Sequence, residues 1–226
     1  MLPRVVIHNA VSADGRLDFL QPDPGLYREI AGRFRHDAIL TTANTLLAEP
    51  RDIPAEDRSA FRPRAVDPND SRPLLVVADG RGRLRDWHYW CNQPQWRDAV
   101  ALVSGATPAR HLRYLELRHV EYIRAGAGPI DLWAALSELS ARFGVKQVRV
   151  DAGGTLNGAL LRAGLVHEVS LLVQPCLVGG TSPQTLFRAA DLDSAEGVVK
   201  LRPAHVEELK GGVVWLRYRV VRAGKA

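Results

Sequence analysis

Cysteine is scarce in this chain: Cys91 and Cys176 are the only two among 226 residues. They are too few and too far apart for a disulfide framework, and no CxxC or cysteine–histidine spacing predicts a metal site. No apolar run approaches the roughly 18 residues that a membrane-spanning helix needs, and no signal-like segment opens the chain. These absences predict a cytoplasmic protein with no metal and no membrane contact.

Lysine is also rare, so arginine supplies most of the formal net charge of +5. The basic residues are scattered and form no dense run. Because nucleic-acid binding usually needs a clustered basic stripe, we expect no nucleic-acid partner, whereas a small anionic ligand fits this charge balance. Hydrophobic residues make up 46% of the chain, and no long linker interrupts it. We therefore expect one domain that spans residues 1–226.

Apolar runs alternate with helical stripes along most of the chain, which predicts parallel strands joined by helices. Near the C-terminus the strands follow one another without a long helix, and Gly211–Gly212 is typical of a hairpin turn. The predicted fold is α/β, with a mostly parallel central sheet flanked by helices and a C-terminal antiparallel hairpin. Because ligands of such sheets bind where strands end, the candidate turns are Ala10–Arg16, Thr41–Glu49, Asp79–Arg81 and Asp151–Asn157.

The most informative turn follows the apolar run Val148–Val150 and contains Gly153, Gly154 and Thr155 before a helical leucine stripe. The first N–H groups of a helix lack intrahelical partners, and the helix dipole makes that end attractive to anions. Glycines let a phosphate approach the backbone closely. The pattern predicts a cradle for a nucleotide pyrophosphate, with an ordinary strand–helix turn as the alternative.

Taken in order, these turns resemble the signatures of the riboflavin-pathway pyrimidine reductases, which are stand-alone enzymes or the reductase half of a bifunctional deaminase–reductase. The matching segments are Ala10–Arg16, Ile39–Pro50, Val77–Arg81 and Asp151–Gly180. The resemblance implies a dihydrofolate reductase-like fold, NADPH as the cofactor and a homodimer. The zinc deaminase signature, H-x-E with P-C-x-x-C, is missing, so we expect this chain not to be the bifunctional enzyme.

The resemblance also implies which residues bind ligands. Arg33 and Asp151 would contact the substrate, a ribosylamino-pyrimidine 5′-phosphate whose ribosyl group is reduced to ribityl. Arg81 could pair with the cofactor 2′-phosphate, although a solvated arginine is the alternative. No catalytic residue is assigned. The implied cofactor contacts are Ala10, Thr45, Glu49, Gly80, Arg81, Gly153, Gly154, Thr155, Leu156 and Asn157.

Several departures from the signatures leave the substrate open. Asp151 stands where the family has Glu, a single acid precedes Pro50, and the loop over residues 51–72 does not match, which leaves the phosphate-binding arginine ambiguous among Arg51, Arg58 and Arg62. The alternatives are a related oxidoreductase that acts on a pterin, a folate or another small carbonyl or imine compound, and a non-catalytic nucleotide-binding module.

Three side chains in or near these turns carry specific expectations. Asp14 is expected to cap its own turn through an Asx-type bond. His8, at the end of the first strand, is either a ligand contact or a satisfied core histidine. If Gly153–Thr155 cradles the pyrophosphate, Gly154→Val is expected to weaken NADPH binding by ~2 kcal/mol or more, about thirty-fold.

Overall fold

The computed structural model describes residues 1–48, 51–63, 67, 69–182 and 184–221. The helices described are α1 (Pro24–Gly32), α2 (Ala43–Ala48), α3 (Trp87–Trp90), α4 (Ala109–Glu116), α5 (Leu132–Phe143) and α6 (Gly154–Arg162). The strands are β1 (Arg4–Ser12), β2 (Ala38–Thr42), β3 (Leu74–Ala78), β4 (Asp98–Val103), β5 (Glu121–Arg124), β6 (Gln147–Val150), β7 (Glu168–Gln174), β8 (Leu201–Glu208) and β9 (Val214–Val220).

Backbone contacts divide the chain into two compact units. The first unit comprises Met1–Pro3 and His36–Val148, and the second comprises Arg4–Arg35 and Arg149–Ala226. Strand β6 runs across the point in the sequence where one unit ends and the other begins. The expectation of a single domain stays a prediction.

In the first unit, β2, β3, β4 and β5 run parallel in the order β5-β4-β3-β2. Strand β3 illustrates why: its sequence LLVVA is buried at the first four positions, as expected of a parallel strand covered on both faces. The core cluster around it contains Leu75, Val77, Trp87, Trp90 and Leu115. The carboxyl ends of β2 and β3 lead into two of the turns that the sequence predicts to bind ligands.

In the second unit, β1 pairs with β7 in parallel, whereas β7 pairs with β9 and β9 with β8 in antiparallel fashion. Its core includes Val6, Ile30, Leu172 and Trp215. The β8–β9 hairpin turns through Gly211 and Gly212, whose φ angles of 78° and 73° are strained for other residues. The predicted α/β class, the mostly parallel strands and the C-terminal hairpin are confirmed.

Candidate cofactor and substrate sites

The turn after β6 presents an open helix N-terminus. Gly153 is the N-cap of α6, with an extended backbone (φ −77°, ψ 170°) that any residue could adopt. A Cβ atom at Gly153 would meet no described atom within 4 Å, and Gly153, as the N-cap, provides no side-chain cap to the first N–H groups of the helix. Gly153 and Thr155 are exposed. The turn therefore offers unpaired donors and free space to an anion.

Gly154 faces the protein rather than the solvent. A Cβ atom there would collide with the carbonyl oxygen of Thr185, and one at Gly158, a helical turn later, would collide with the carbonyl of Arg188. Arg188 N donates to Gly154 O at 2.9 Å. Both glycines are needed where the segment Thr185–Arg188 crosses α6. The expected effect of Gly154→Val is therefore corrected: the substitution would disturb this crossing, and Gly153 is the position that tests a phosphate.

The other two residues predicted in this turn have buried side chains. Asn157 is fully buried, and Leu156 is 8% exposed. Asn157 Nδ2 donates to Asn9 Oδ1 at 3.0 Å, to Ala152 O at 3.2 Å and to Leu186 O at 3.1 Å. The contact with Ala152 O, which also accepts from Asn9 Nδ2 at 3.0 Å, fixes the backbone ahead of Gly153. We therefore expect Leu156 and Asn157 to shape the turn through their side chains, and Gly153 and Thr155 to face a ligand.

The predicted contact Ala10 lies within β1, and the turn that follows β1 is hydrogen-bonded to a loop distant in the sequence. Asp14 accepts from Ser12 Oγ at 2.6 Å and from two N–H groups of Val178–Gly180 at 3.1 and 2.7 Å. These hydrogen bonds lower the pKa of Asp14 to about 2. Arg16 donates to two carbonyls of the same segment at 2.9 and 3.1 Å. Asp14 thus ties this turn to Val178–Gly180, a long-range role beyond the expected local cap.

Asp151, which directly follows β6, carries a partly desolvated carboxyl group. Its side chain is 35% exposed, and Arg149 Nη2 lies 3.8 Å from Asp151 Oδ2. Desolvation raises the pKa of Asp151 above its ordinary value, whereas Arg149 and the neighbouring Tyr27 phenol lower this pKa. The Tyr27 O–H itself donates to His8 O at 2.9 Å. Burial and the charge of Asp151 raise the pKa of Tyr27 well above its usual range. A carboxyl group with a raised pKa at a strand end is a candidate proton donor.

Arg33, the other residue expected on the substrate side, lies at the C-terminus of α1 between two carboxylates. Its Nη1 is 3.0 Å from Glu207 Oε2, and its Nη2 is 2.9 Å from Glu29 Oε1. The guanidinium also stacks over the Trp215 ring at 5.4 Å. A substrate anion would have to compete with both glutamates, so the assignment of Arg33 stays a prediction.

His8 is fully buried and has the surroundings of a core histidine. Its Nδ1 lies 3.0 Å from Ser170 Oγ, which accepts a hydrogen bond from Trp215 Nε1 at 2.9 Å. The imidazole packs against Tyr27 and Phe34, with ring centroids 4.6 and 5.2 Å apart. This environment favours the core alternative over a ligand contact.

The first unit carries the remaining predicted cofactor residues. Thr45 N donates to Thr42 Oγ1 at 3.1 Å at the start of α2, and Glu49 lies outside the described residues. After β3, Gly80 O accepts from Thr107 Oγ1 at 2.8 Å, while Arg81 is exposed. The turn is therefore anchored at Gly80 and projects Arg81 outward, as an anion-binding role requires.

The aromatic residues from Trp87 to Trp96 belong to the core of the first unit. Trp87 and Trp90 are buried on the short helix α3, with Tyr89 and Trp96 packed against the same cluster. Trp96 stacks on Trp90 at 5.9 Å. This packing favours a hydrophobic role for the cluster over a wall that stacks nucleobases.

Open α/β sheets bind their ligands at the carboxyl ends of the strands, and the glycine turns and Asp151 described above follow such strand ends. The family model described as "RibD C-terminal domain" matches residues 3–215. The chain belongs to this family, which confirms the resemblance to the riboflavin-pathway pyrimidine reductases. Among the described residues, no helix has the length and apolarity to cross a membrane.

Curated relatives and a solved structure agree with this family. The 2,5-diamino-6-ribosylamino-4(3H)-pyrimidinone 5′-phosphate reductase of Methanothermobacter thermautotrophicus is 27% identical over 208 residues, or 89% of this chain and 91% of that protein. The protein of the same name from Archaeoglobus fulgidus is 30% identical over 194 residues, or 82% and 86%. The RibD structure from Acinetobacter baumannii matches with a TM-score of 0.71 at 23% identity, covering 97% of this chain and 58% of that chain.

Proposed function

We propose that this chain uses NADPH to reduce a ribosylamino-pyrimidine 5′-phosphate, converting its ribosyl group to ribityl. Family membership supports an oxidoreductase of riboflavin biosynthesis, because the curated relatives are named as reductases of this substrate. The structural observation that carries the proposal is the open N-terminus of α6 at Gly153. By the family resemblance, the enzyme would act as a cytoplasmic homodimer.

Each unit, taken by itself, offers a group that suits one part of a phosphorylated dinucleotide. The space at Gly153 and the uncapped N–H groups of α6 suit a pyrophosphate. In the first unit, the exposed guanidinium of Arg81 suits the 2′-phosphate that distinguishes NADPH from NADH. When bound, the nicotinamide supplies a hydride; the protein has to orient the substrate and provide a proton.

We assign Asp151 as the donor of that proton. Reduction of the ring-opened imine adds a hydride to the sugar C1, and the nitrogen of the same C=N bond takes up a proton. Because desolvation raises the pKa of Asp151, its carboxyl group holds a proton more readily than a solvated one. Tyr27, whose O–H donates to His8 O at 2.9 Å, lies near enough to influence the pKa of this carboxyl group. General-acid catalysis by a positioned carboxyl is the chemistry that this arrangement supports.

The function is tested by following NADPH oxidation with the diaminopyrimidinone ribosyl phosphate and, separately, with dihydrofolate. We expect turnover of the pyrimidine. The replacement of the family Glu by Asp151 favours a pterin or folate as the second candidate, and turnover of dihydrofolate alone would establish it instead. NADPH binding without turnover of any compound in a carbonyl and imine panel would identify a non-catalytic module.

Arg81→Ala is expected to weaken NADPH binding about tenfold, equivalent to ~1.4 kcal/mol, and to leave NADH binding unchanged. The reason is the loss of one charge-assisted contact to the 2′-phosphate, which NADH lacks. Fluorescence titrations with both nucleotides measure the effect. Arg83→Ala is the matched control, since Arg83 is an exposed arginine of the same turn. Equal weakening of both nucleotides would remove Arg81 from the proposed role.

A further inference from the structure

A buried imidazole lies against the turn that follows β3. His111 of α4 has no exposed surface, and the side chain of Asp79 is 1% exposed. His111 Nε2 lies 3.4 Å from Asp79 Oδ2, and His111 Nδ1 lies 2.5 Å from Arg85 Nη1. The ring of Tyr114 stacks on the imidazole at 5.8 Å. The imidazole therefore bridges a buried carboxylate and a guanidinium.

This arrangement selects one protonation state of His111. An arginine can only donate hydrogen bonds, so Nδ1 must accept from Arg85, and the single ring proton resides on Nε2 beside Asp79. A second proton would have to sit on Nδ1, against the guanidinium. Burial and Arg85 lower the pKa of His111, while Asp79 acts in the opposite direction. Tyr114, whose pKa is raised to about 12, stays uncharged. His111 is therefore neutral at pH 7.

The same imidazole sets the shape of the turn. Gly82 has a φ of +61°, and a Cβ atom there would lie 2.6 Å from His111 Cγ, so the ring packs directly on the backbone. The Asp79 carboxylate accepts from Arg83 N at 2.8 Å and from Leu84 N at 3.0 Å. Asp79 thus holds the far side of the turn while facing His111. Gly80 and Arg81 therefore lie between Asp79, which holds the turn through its carboxylate, and Gly82, on which the His111 ring packs.

We propose that His111 is a positioning residue: its neutral imidazole, held between Asp79 and Arg85, fixes the turn that presents Gly80 and Arg81 to the cofactor. The proposal rests on the proposed function, which assigns this turn to NADPH. Protonation of His111 would place a second positive charge against Arg85 and break the Arg85 hydrogen bond. NADPH affinity is therefore coupled to the titration of a residue that does not touch the cofactor.

Two substitutions at His111 separate this role from simple packing. Glutamine offers one acceptor and one donor, as the neutral imidazole does, but cannot take up a proton. We expect His111→Gln to keep the wild-type NADPH dissociation constant within about twofold near pH 8. We also expect it to lose the rise in the NADPH dissociation constant that the proposal predicts for wild type at acid pH. His111→Leu removes the Arg85 hydrogen bond and the polar contact with Asp79, and is expected to raise the dissociation constant about tenfold. Fluorescence titrations from pH 5 to 8, with thermal melts to confirm folding, measure both effects.

A matched control is His119→Asn, because His119 is an exposed histidine with a positive φ, which asparagine tolerates. It should retain the wild-type affinity and pH profile. Unchanged affinity and an unchanged pH profile in folded His111→Leu would overturn the positioning role while leaving NADPH binding intact. If wild type itself binds no NADPH, the proposed function fails. In that case faster hydrogen exchange at the amides of Arg83 and Leu84 in His111→Leu, but not in His111→Gln, still supports the turn-fixing role, and equal exchange refutes it.

Discussion

Gly153→Val is expected to weaken NADPH binding thirty-fold or more, about 2 kcal/mol, while the melting temperature stays within about 2 °C of wild type. The backbone at Gly153 is in an extended region open to any residue, and the space beside it holds no described atom within 4 Å. A valine therefore fits the free protein. It would occupy the space in which a phosphate approaches the first N–H groups of α6. Nucleotide titration and thermal denaturation measure the two quantities.

Gly154→Ala is the matched control, one residue along the same turn. Its Cβ would collide with the Thr185 carbonyl, and overpacking against backbone costs about 1–3 kcal/mol or more of folding stability. We therefore expect a lower melting temperature for Gly154→Ala, and any loss of NADPH affinity should accompany unfolding. A folded Gly153→Val protein that binds NADPH normally would exclude the phosphate cradle at α6.

Periodicity made the fold predictable from the sequence. Short apolar runs such as Leu74–Ala78 read as buried strands because both faces of a parallel strand are covered. Gly211 and Gly212 identified the hairpin because their positive φ angles are a local property of the turn. The N-terminus of α6 was equally visible, since a strand, two glycines and a leucine stripe occupy consecutive positions. These features depend on neighbours in the chain.

The site details depended on distant neighbours, and the sequence could not supply them. Gly153 and Gly154 are adjacent and identical, yet only contact with Thr185 decides which one faces the protein. Nothing near His111 in the sequence indicates that it packs on Gly82. Asp14 looked like a local cap, whereas its acceptor bonds reach the Val178–Gly180 segment.

The influence of Tyr27 on the pKa of Asp151 was missed for the same reason. Tyr27 lies on α1, and Asp151 follows β6, more than a hundred positions later in the chain. The sequence marked Asp151 through its place after an apolar run, but gave no sign of a phenol beside it. The effect of Tyr27 on the carboxyl group, and the balance of desolvation against Arg149, emerge only when these elements pack together.

Asp151→Asn is expected to lower kcat about 100-fold and to leave NADPH affinity unchanged. A positioned general acid contributes at least about this factor, and the amide cannot donate the proton. Asp151→Glu, which restores the family residue, should keep kcat within about tenfold of wild type. In wild type, kcat should fall as pH rises through the raised pKa of Asp151. Steady-state kinetics across pH measures these effects.

The same substitution should raise stability. Because the folded-state pKa of Asp151 is raised above the ordinary value of 3.8, the folded protein binds this proton more tightly than the unfolded chain. The resulting stabilisation is complete below pH 3.8 and is lost as pH rises through the folded pKa. Asp151→Asn carries no carboxylate to desolvate, so its melting temperature should exceed that of wild type at pH 7 and converge with it near pH 3. A fully active Asp151→Asn enzyme would remove Asp151 from proton transfer, whatever its melting temperature.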